Sequence, residues 1–137
     1  MDIAGSDIDQ EALLLCGKHI AQAGFQVGFH DKMHEDGLHG QAHGKIYVHE
    51  EDLSVVQLDK PNGVFLANPP YGERLSDREN CHALYRELGA LLRRHRGWQM
   101  GVIASDPGFE RAFGRRADKK RRLYNGRLEC EFFIFKC

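Results

Sequence analysis

The most sharply bounded apolar stretch of the chain is Gly63-Val64-Phe65-Leu66-Ala67, preceded by Pro61-Asn62 and followed by Asn68, two prolines and Tyr71. Its length and its boundaries predict a buried β-strand. Upstream, Ile3-Ala4-Gly5-Ser6-Asp7-Ile8-Asp9 predicts the end of a strand and a turn. Asp9 is placed to cap a helix over residues 10–23, with Leu13, Leu14, Ile20 and Ala21 on its apolar face and Gly24 as its stop. Residues 45–49 predict a strand. Downstream, Ser76 or Asp77 is placed to cap a helix running to about Arg96, with Leu84, Leu88, Leu91 and Leu92 as its apolar stripe. Residues 98–105 predict a second buried strand, and Asp106-Pro107 opens a short helix with Phe109 and Phe113 on its inner face. The chain closes on a hairpin, residues 119–124 and 128–136, around Asn125-Gly126. Phe133 and Phe135 fall on one face of its last strand and Ile134 on the other.

Residues 25–45 break this order. They hold His30, His34, His39 and His43 among Asp31, Glu35 and Asp36. The His30–His34 spacing would put two rings on one face of a helix, but Gly28, Gly37, Gly40 and Gly44 oppose a helix there. A polar loop is the expectation, and no metal site. The four cysteines, Cys16, Cys81, Cys130 and Cys137, are far apart and form no C-x-x-C pair. They are expected to be free thiols in a reducing, cytoplasmic setting. No apolar run approaches the ~20 residues of a membrane span. A length of 137 residues fits one domain, residues 1–137.

The chemistry gathers at Asn68-Pro69-Pro70-Tyr71. Two residues that each precede a proline are stiff and extended, and neither proline has an N–H. The acceptors that remain are the Asn68 side-chain oxygen and the Asn68 and Pro69 carbonyls. Such a set suits an exocyclic amine of a nucleobase, whose two N–H groups need two fixed acceptors. Orientation of that kind supplies several kcal/mol of a barrier. The Tyr71 ring offers a face on which a flipped base can stack. The plainer alternative is a Pro-Pro turn with a rim aromatic.

Asn68-Pro69-Pro70-Tyr71 resembles the catalytic motif of the amino-methyltransferases that use S-adenosylmethionine. Extended through Gly72-Glu73-Arg74-Leu75, it is similar to the large-subunit ribosomal RNA guanine-N2 methyltransferases and to relatives labelled RNA methylases or N6-adenine-specific methylases. The resemblance implies an α/β, Rossmann-like doubly wound sheet with a C-terminal antiparallel hairpin. It implies that Asn68, Pro69, Pro70 and Tyr71 act on the amine. It further implies that Asp7 binds the cofactor ribose, that Ile8 lies against adenine, that Asp52 beside Leu53 reaches the adenine amine, and that Asn68 also touches the cofactor. Asp7 and Asp9 can instead be alternative caps of one helix, and Glu50-Glu51-Asp52 can be a solvated acidic turn. Arg115-Arg116-Ala117-Asp118-Lys119-Lys120, Leu123-Tyr124-Asn125-Gly126 and Leu128-Glu129-Cys130 also resemble family segments.

The family's first strand and its glycine-rich loop have no counterpart here, nor do its RNA-binding domains. In the family's sheet that strand sits between the ones carrying Asp7 and Asn68, so its loss would leave both with unpaired backbone. The expectation is a part of a longer enzyme whose isolated chain binds the cofactor weakly or not at all.

Charge adds a partner. Residues 1–59 hold 3 Lys/Arg against 11 Asp/Glu, and residues 111–137 hold 9 against 3. Arg74, Arg115, Arg116, Lys119, Lys120, Arg121 and Arg122 are the candidates for contacting RNA. The leading expectation is methyl transfer to an exocyclic base amine in RNA, guanine N2 of large-subunit ribosomal RNA by resemblance. N6-adenine methylation of DNA or RNA and a noncatalytic RNA-binding remnant are the alternatives. An NAD-dependent oxidoreductase rests on Asp7 alone and lacks G-x-G-x-x-G.

Overall fold

The computed structural model describes residues 3–29, 45–58, 60–71 and 75–136. The histidine-rich stretch 30–44 and Arg74 fall outside them. The chain divides into two compact units, residues 1–56 and 57–137.

The first unit holds β1 (Ile3–Asp7), α1 (Gln10–Gln22), β2 (Gln26–Phe29) and β3 (Lys45–Glu50), followed by a 3-10 turn, Leu53–Val55. Its sheet is parallel in the order β1-β3-β2. Asp9 caps α1 as the sequence predicts, its Oδ1 accepting the N–H groups of Glu11 at 2.9 Å and Ala12 at 3.3 Å. Two expectations change. Residues 26–29, read as the start of a polar loop, form β2. Leu14, assigned to the apolar face of α1, is 59% exposed, and of the helix only Leu13 and Gly17 are buried.

The second unit holds β4 (Gly63–Ala67), α2 (Leu75–Arg94), β5 (Trp98–Ala104), α3 (Phe109–Phe113), β6 (Lys119–Asn125) and β7 (Leu128–Lys136). α2 begins one or two residues ahead of its expected caps. The sheet order is β4-β5-β7-β6, with β4 parallel to β5 and the final hairpin antiparallel. This is a partial Rossmann-like α/β fold with the antiparallel C-terminal hairpin expected of it. β1 and β4 each end their own sheet.

The core of this unit lies on one face of the sheet. Met100, Val102, Ala104, Phe133 and Phe135 point into it, and α2 covers it with Cys81, Tyr85, Leu88, Leu91 and Leu92. Phe109 of α3 is fully buried and meets Tyr85 edge-on at 4.9 Å between ring centroids, and its centroid lies 4.6 Å from that of Phe133. Phe113 stacks on Phe135 at 4.0 Å. The other face is thinner. Val64 is 62% exposed and Leu66 76%, so β4 is not the fully buried strand its composition suggests. Leu66 stands opposite Gly101, which has no side chain to pack against it. Among the described residues no helix is long and apolar enough to cross a membrane.

Candidate active site

In both sheets the candidate residues collect at the carboxyl ends of parallel strands, where open α/β sheets bind ligands. In the first unit β1 and β3 run in register, Asp7 opposite Glu50. Asp7, Ile8, Asp52 and Leu53 therefore share one sheet edge. Asp7 Oδ1 accepts the Asp9 N–H at 2.9 Å. The Asp7 backbone carbonyl accepts the Glu51 N–H at 3.1 Å, which ties the two strand ends together. Ile8 is 67% exposed at this edge. Asp52 caps the 3-10 turn. Its Oδ1 accepts from the Ser54 hydroxyl at 2.6 Å and the Ser54 N–H at 2.8 Å, and these bonds hold its carboxyl below the usual carboxylate range. Among the described residues, nothing donates to the second oxygen of Asp7 or of Asp52.

In the second unit Asn68-Pro69-Pro70-Tyr71 leaves the end of β4. Pro69 is buried, Asn68 and Pro70 are exposed, and Tyr71 is half-buried. The Pro70 carbonyl is held by α2, accepting from the Tyr85 hydroxyl at 3.2 Å and the Cys81 thiol at 3.3 Å. Among the described residues, no donor bonds to the carbonyl of buried Pro69. The Tyr71 hydroxyl donates to Asn68 Oδ1 at 2.7 Å and accepts from Asn125 Nδ2 at 3.1 Å. A relay from the hairpin thus sets the orientation of the Asn68 amide.

Three residues of this arrangement escape a reading of the sequence for function: Cys81, Tyr85 and Asn125. The first two belong to the apolar side of α2, and only the fold turns their polar atoms towards Pro70. Asn125 was expected in the hairpin turn. In the structure it is the last residue of β6, paired with Leu128, and the two-residue loop is Gly126-Arg127 with Gly126 at φ 63°. Placing the glycine first in the loop leaves Asn125 on the strand, from which its amide reaches Tyr71.

Tyr85 is buried, and burial, followed by the charges of Cys81, Asp106 and Tyr71, pushes its hydroxyl from 10.0 to about 12. It stays a donor to Pro70 throughout the neutral range. The shift also has a consequence for stability. Between about pH 10 and 12 the unfolded chain has released this proton and the folded chain still holds it, so rising pH favours unfolding. Stability is expected to drop through that window, and less so in Tyr85→Phe. Denaturant titrations of both proteins at pH 9 and pH 11 check this, and an equal loss in the two would contradict it.

The basic C-terminal residues are less available than their number suggests. Arg115 pairs with Asp118, Lys120 with Glu110 at 3.1 Å and Arg122 with Glu129 at 3.1 Å. Glu110 is partly buried, which alone would raise its carboxyl, but the Ala117 N–H and Lys120 hold it below its ordinary range. Lys119–Asn125 is also an exposed edge strand, where lysine and arginine discourage pairing with other chains. Arg116, Lys119 and Arg121 carry no ion pair among the described residues. Among those residues no three metal-ligating side chains come together.

The arrangement has known counterparts. Residues 1–134 match the family described as RMKL-like, methyltransferase domain. The chain is 37% identical over 136 residues to the ribosomal RNA large subunit methyltransferase K/L of Methylococcus capsulatus, covering 97% of this chain and 16% of that protein. It is 46% identical over 82 residues to the enzyme of the same name from Legionella pneumophila, 59% of this chain and 12% of that one. Among solved structures, one described as a methyltransferase complexed with SAH superposes with a TM-score of 0.79 at 32% identity, over 99% of this chain and 32% of that one. One described as a predicted N6-adenine-specific DNA methylase, from Listeria monocytogenes, superposes with a TM-score of 0.75 at 31% identity, over 97% of this chain and 30% of that one. The chain thus spans about a sixth of the length of the Methylococcus relative and about a third of the solved ones. It belongs to the RMKL-like methyltransferase domain family.

Proposed function

We propose that the protein transfers a methyl group to an exocyclic amine of a base in RNA, guanine N2 of large-subunit ribosomal RNA being the target. The observation that carries this reading is the acceptor pair at the end of β4. The Asn68 side-chain oxygen is oriented by Tyr71, and the Pro69 carbonyl follows it on the chain, directly before the one that α2 holds. Two fixed acceptors hold both protons of an amine and turn its lone pair out of conjugation with the ring. Tyr71, half-buried beside them, offers its ring to the extruded base. No strong general base is needed, because the amine nitrogen becomes acidic once it is methylated.

S-adenosylmethionine fits the donor set of the first unit. The open carboxylate oxygens of Asp7 and Asp52 suit the ribose hydroxyls and the adenine amine, and exposed Ile8, with Leu53, suits the flat face of adenine. When bound, this cofactor supplies the methyl group as an electrophile. The names of the curated relatives support ribosomal RNA as substrate. The name of the Listeria neighbour supports a second reading, adenine N6. A noncatalytic RNA-binding role is weaker, since three of the basic residues it would use are ion-paired.

The test is product analysis. The protein is incubated with ribosomal RNA and methyl-labelled S-adenosylmethionine, and the RNA is digested to nucleosides and separated by mass. N2-methylguanosine is the expected product. N6-methyladenosine would establish the second reading, and an absence of labelled nucleoside, with S-adenosylmethionine binding demonstrated by calorimetry, would overturn methyl transfer to RNA.

A further inference from the structure

Between them, α2 and α3 enclose a cleft of about 390 Å³ lined by His82, Arg86, Gly108, Arg111 and Ala112. His82 and Arg86 lie one helical turn apart on α2, each one residue after a side chain, Cys81 or Tyr85, that holds the Pro70 carbonyl. The cleft is therefore fixed to the same helix turns that position the candidate catalytic motif.

Its charges are unlike those of the hairpin. Among the described residues Arg86 and Arg111 have no carboxylate partner, whereas Arg115, Lys120 and Arg122 each have one. The carboxylate beside the cleft, Asp106, is already engaged. Its Oδ1 accepts the Gly108 N–H at 2.6 Å and its Oδ2 lies 2.7 Å from His82 Nε2. The positions three and four residues from Arg86 on α2 are His82, Ala83, Gly89 and Ala90, none acidic. Glu110, next to Arg111, is committed to the Ala117 N–H at 2.7 Å and to Lys120. Two arginines from different helices line one concave site, and among the described residues no carboxylate pairs with either.

We infer that Arg86 and Arg111, with His82, form a phosphate site that takes a backbone phosphate of the RNA close to the target nucleotide. Planar guanidinium groups match phosphate oxygens through paired N–H bonds. The Asp106–His82 bond holds the imidazole at the cleft wall. Gly108 leaves the space open: a Cβ there would come within 3.1 Å of Asp106 Oδ1 and 3.3 Å of the His82 ring. This inference rests on RNA as the substrate, and it is read from binding alone, so it can fail or hold independently of methyl transfer.

The experiment measures anisotropy of a fluorescein-labelled single-stranded RNA with the protein across 50–200 mM salt. Arg86→Gln/Arg111→Gln is expected to weaken binding severalfold whatever the RNA sequence. It should also flatten the slope of log K against log salt by about 0.7, the value for one phosphate contact on a single strand. Arg115→Gln/Arg122→Gln removes the same formal charge from ion-paired positions and should change the slope less. An unchanged slope in the first variant, an equal change in the second, or no RNA binding at 50 mM salt would each overturn the inference. Should the glutamine pair fail to fold, Arg86→Lys/Arg111→Lys keeps the charge and loses the planar fork. Its affinity should fall with the slope retained, and unchanged affinity counts against the site. Titration with inorganic phosphate, read at the His82 ring by NMR, separates the two sources of a phosphate group. A response to inorganic phosphate with none to RNA would reassign the cleft to a free phosphate ligand and overturn the RNA assignment.

Discussion

Asn68→Ala is expected to lower the rate of methyl transfer by about 10²–10³, roughly 3–4 kcal/mol of transition-state stabilisation, the usual loss when one preorganised polar group is removed from a reacting centre. The side chain is exposed and carries no packing, so stability should change little. Its oxygen does two things: it accepts from the Tyr71 hydroxyl at 2.7 Å, and it has a second lone pair for the substrate amine. Alanine removes both, leaving the Pro69 carbonyl to hold one of two amine protons. The amine can then rotate, and its lone pair returns to conjugation with the ring. Binding of S-adenosylmethionine should largely survive: Asn68 is itself assigned a contact to the cofactor, but the ribose and adenine contacts are assigned to Asp7, Ile8, Asp52 and Leu53. Asn68→Asp separates the acceptor role from simple occupancy. It keeps an oxygen for Tyr71 and for the amine and should retain more activity than alanine. The measurement is single-turnover transfer in the protein, with cofactor affinity by calorimetry alongside. Full activity in Asn68→Ala would remove this residue from the chemistry, and equal loss in both variants would point to shape rather than to the acceptor.

The parts of this site that were legible in the sequence are those set by local rules. Asp9 caps α1 because a short carboxylate before a helical run reaches the first free N–H groups, whatever the rest of the fold does. β5 and the closing hairpin follow from unbroken apolar and alternating patterns. What failed depended on distant partners. β2 is four residues long and contains Gly28, a weak strand by composition, and it exists through its register with residues 45–48 of β3. The exposure of Val64 and Leu66 reflects which face of the sheet the helices cover, and a run of apolar residues carries no information on that. Arg115, Lys120 and Arg122 count as a basic cluster along the chain, but Asp118, Glu110 and Glu129 pair with them in space. The relay from Asn125 through Tyr71 to Asn68 joins positions 54 and 3 residues apart, and only the shorter step lies within the motif.

The largest expected loss of stability comes from one methyl group. Gly89→Ala should destabilise the second unit by about 2–3 kcal/mol, against the helix preference of alanine over glycine, which alone would add up to about 1 kcal/mol. Gly89 lies inside α2 where that helix crosses the end of α3. A Cβ at this position would sit 2.1 Å from the Phe113 carbonyl oxygen and 3.1 Å from its carbon. Those atoms are backbone, so no rotamer change relieves the overlap. The α3 backbone is also held from the other side: Gly114 follows in the left-handed conformation at φ 89°, its N–H bonded to the Glu110 carbonyl at 3.0 Å. Phe109 and Phe113 are anchored in the aromatic cluster with Phe133 and Phe135. Relief must therefore come from separating α2 and α3, which opens a gap in a closely packed core. Function should fall with stability, because α2 carries Cys81 and Tyr85 and a shift of the helix releases the Pro70 carbonyl that they hold. Urea titration of wild type and Gly89→Ala measures the difference. A more stable alanine variant would mean that helix propensity outweighs contact here and that α2 and α3 are not in close approach, and the support of Pro70 by α2 would then have to be reconsidered with it.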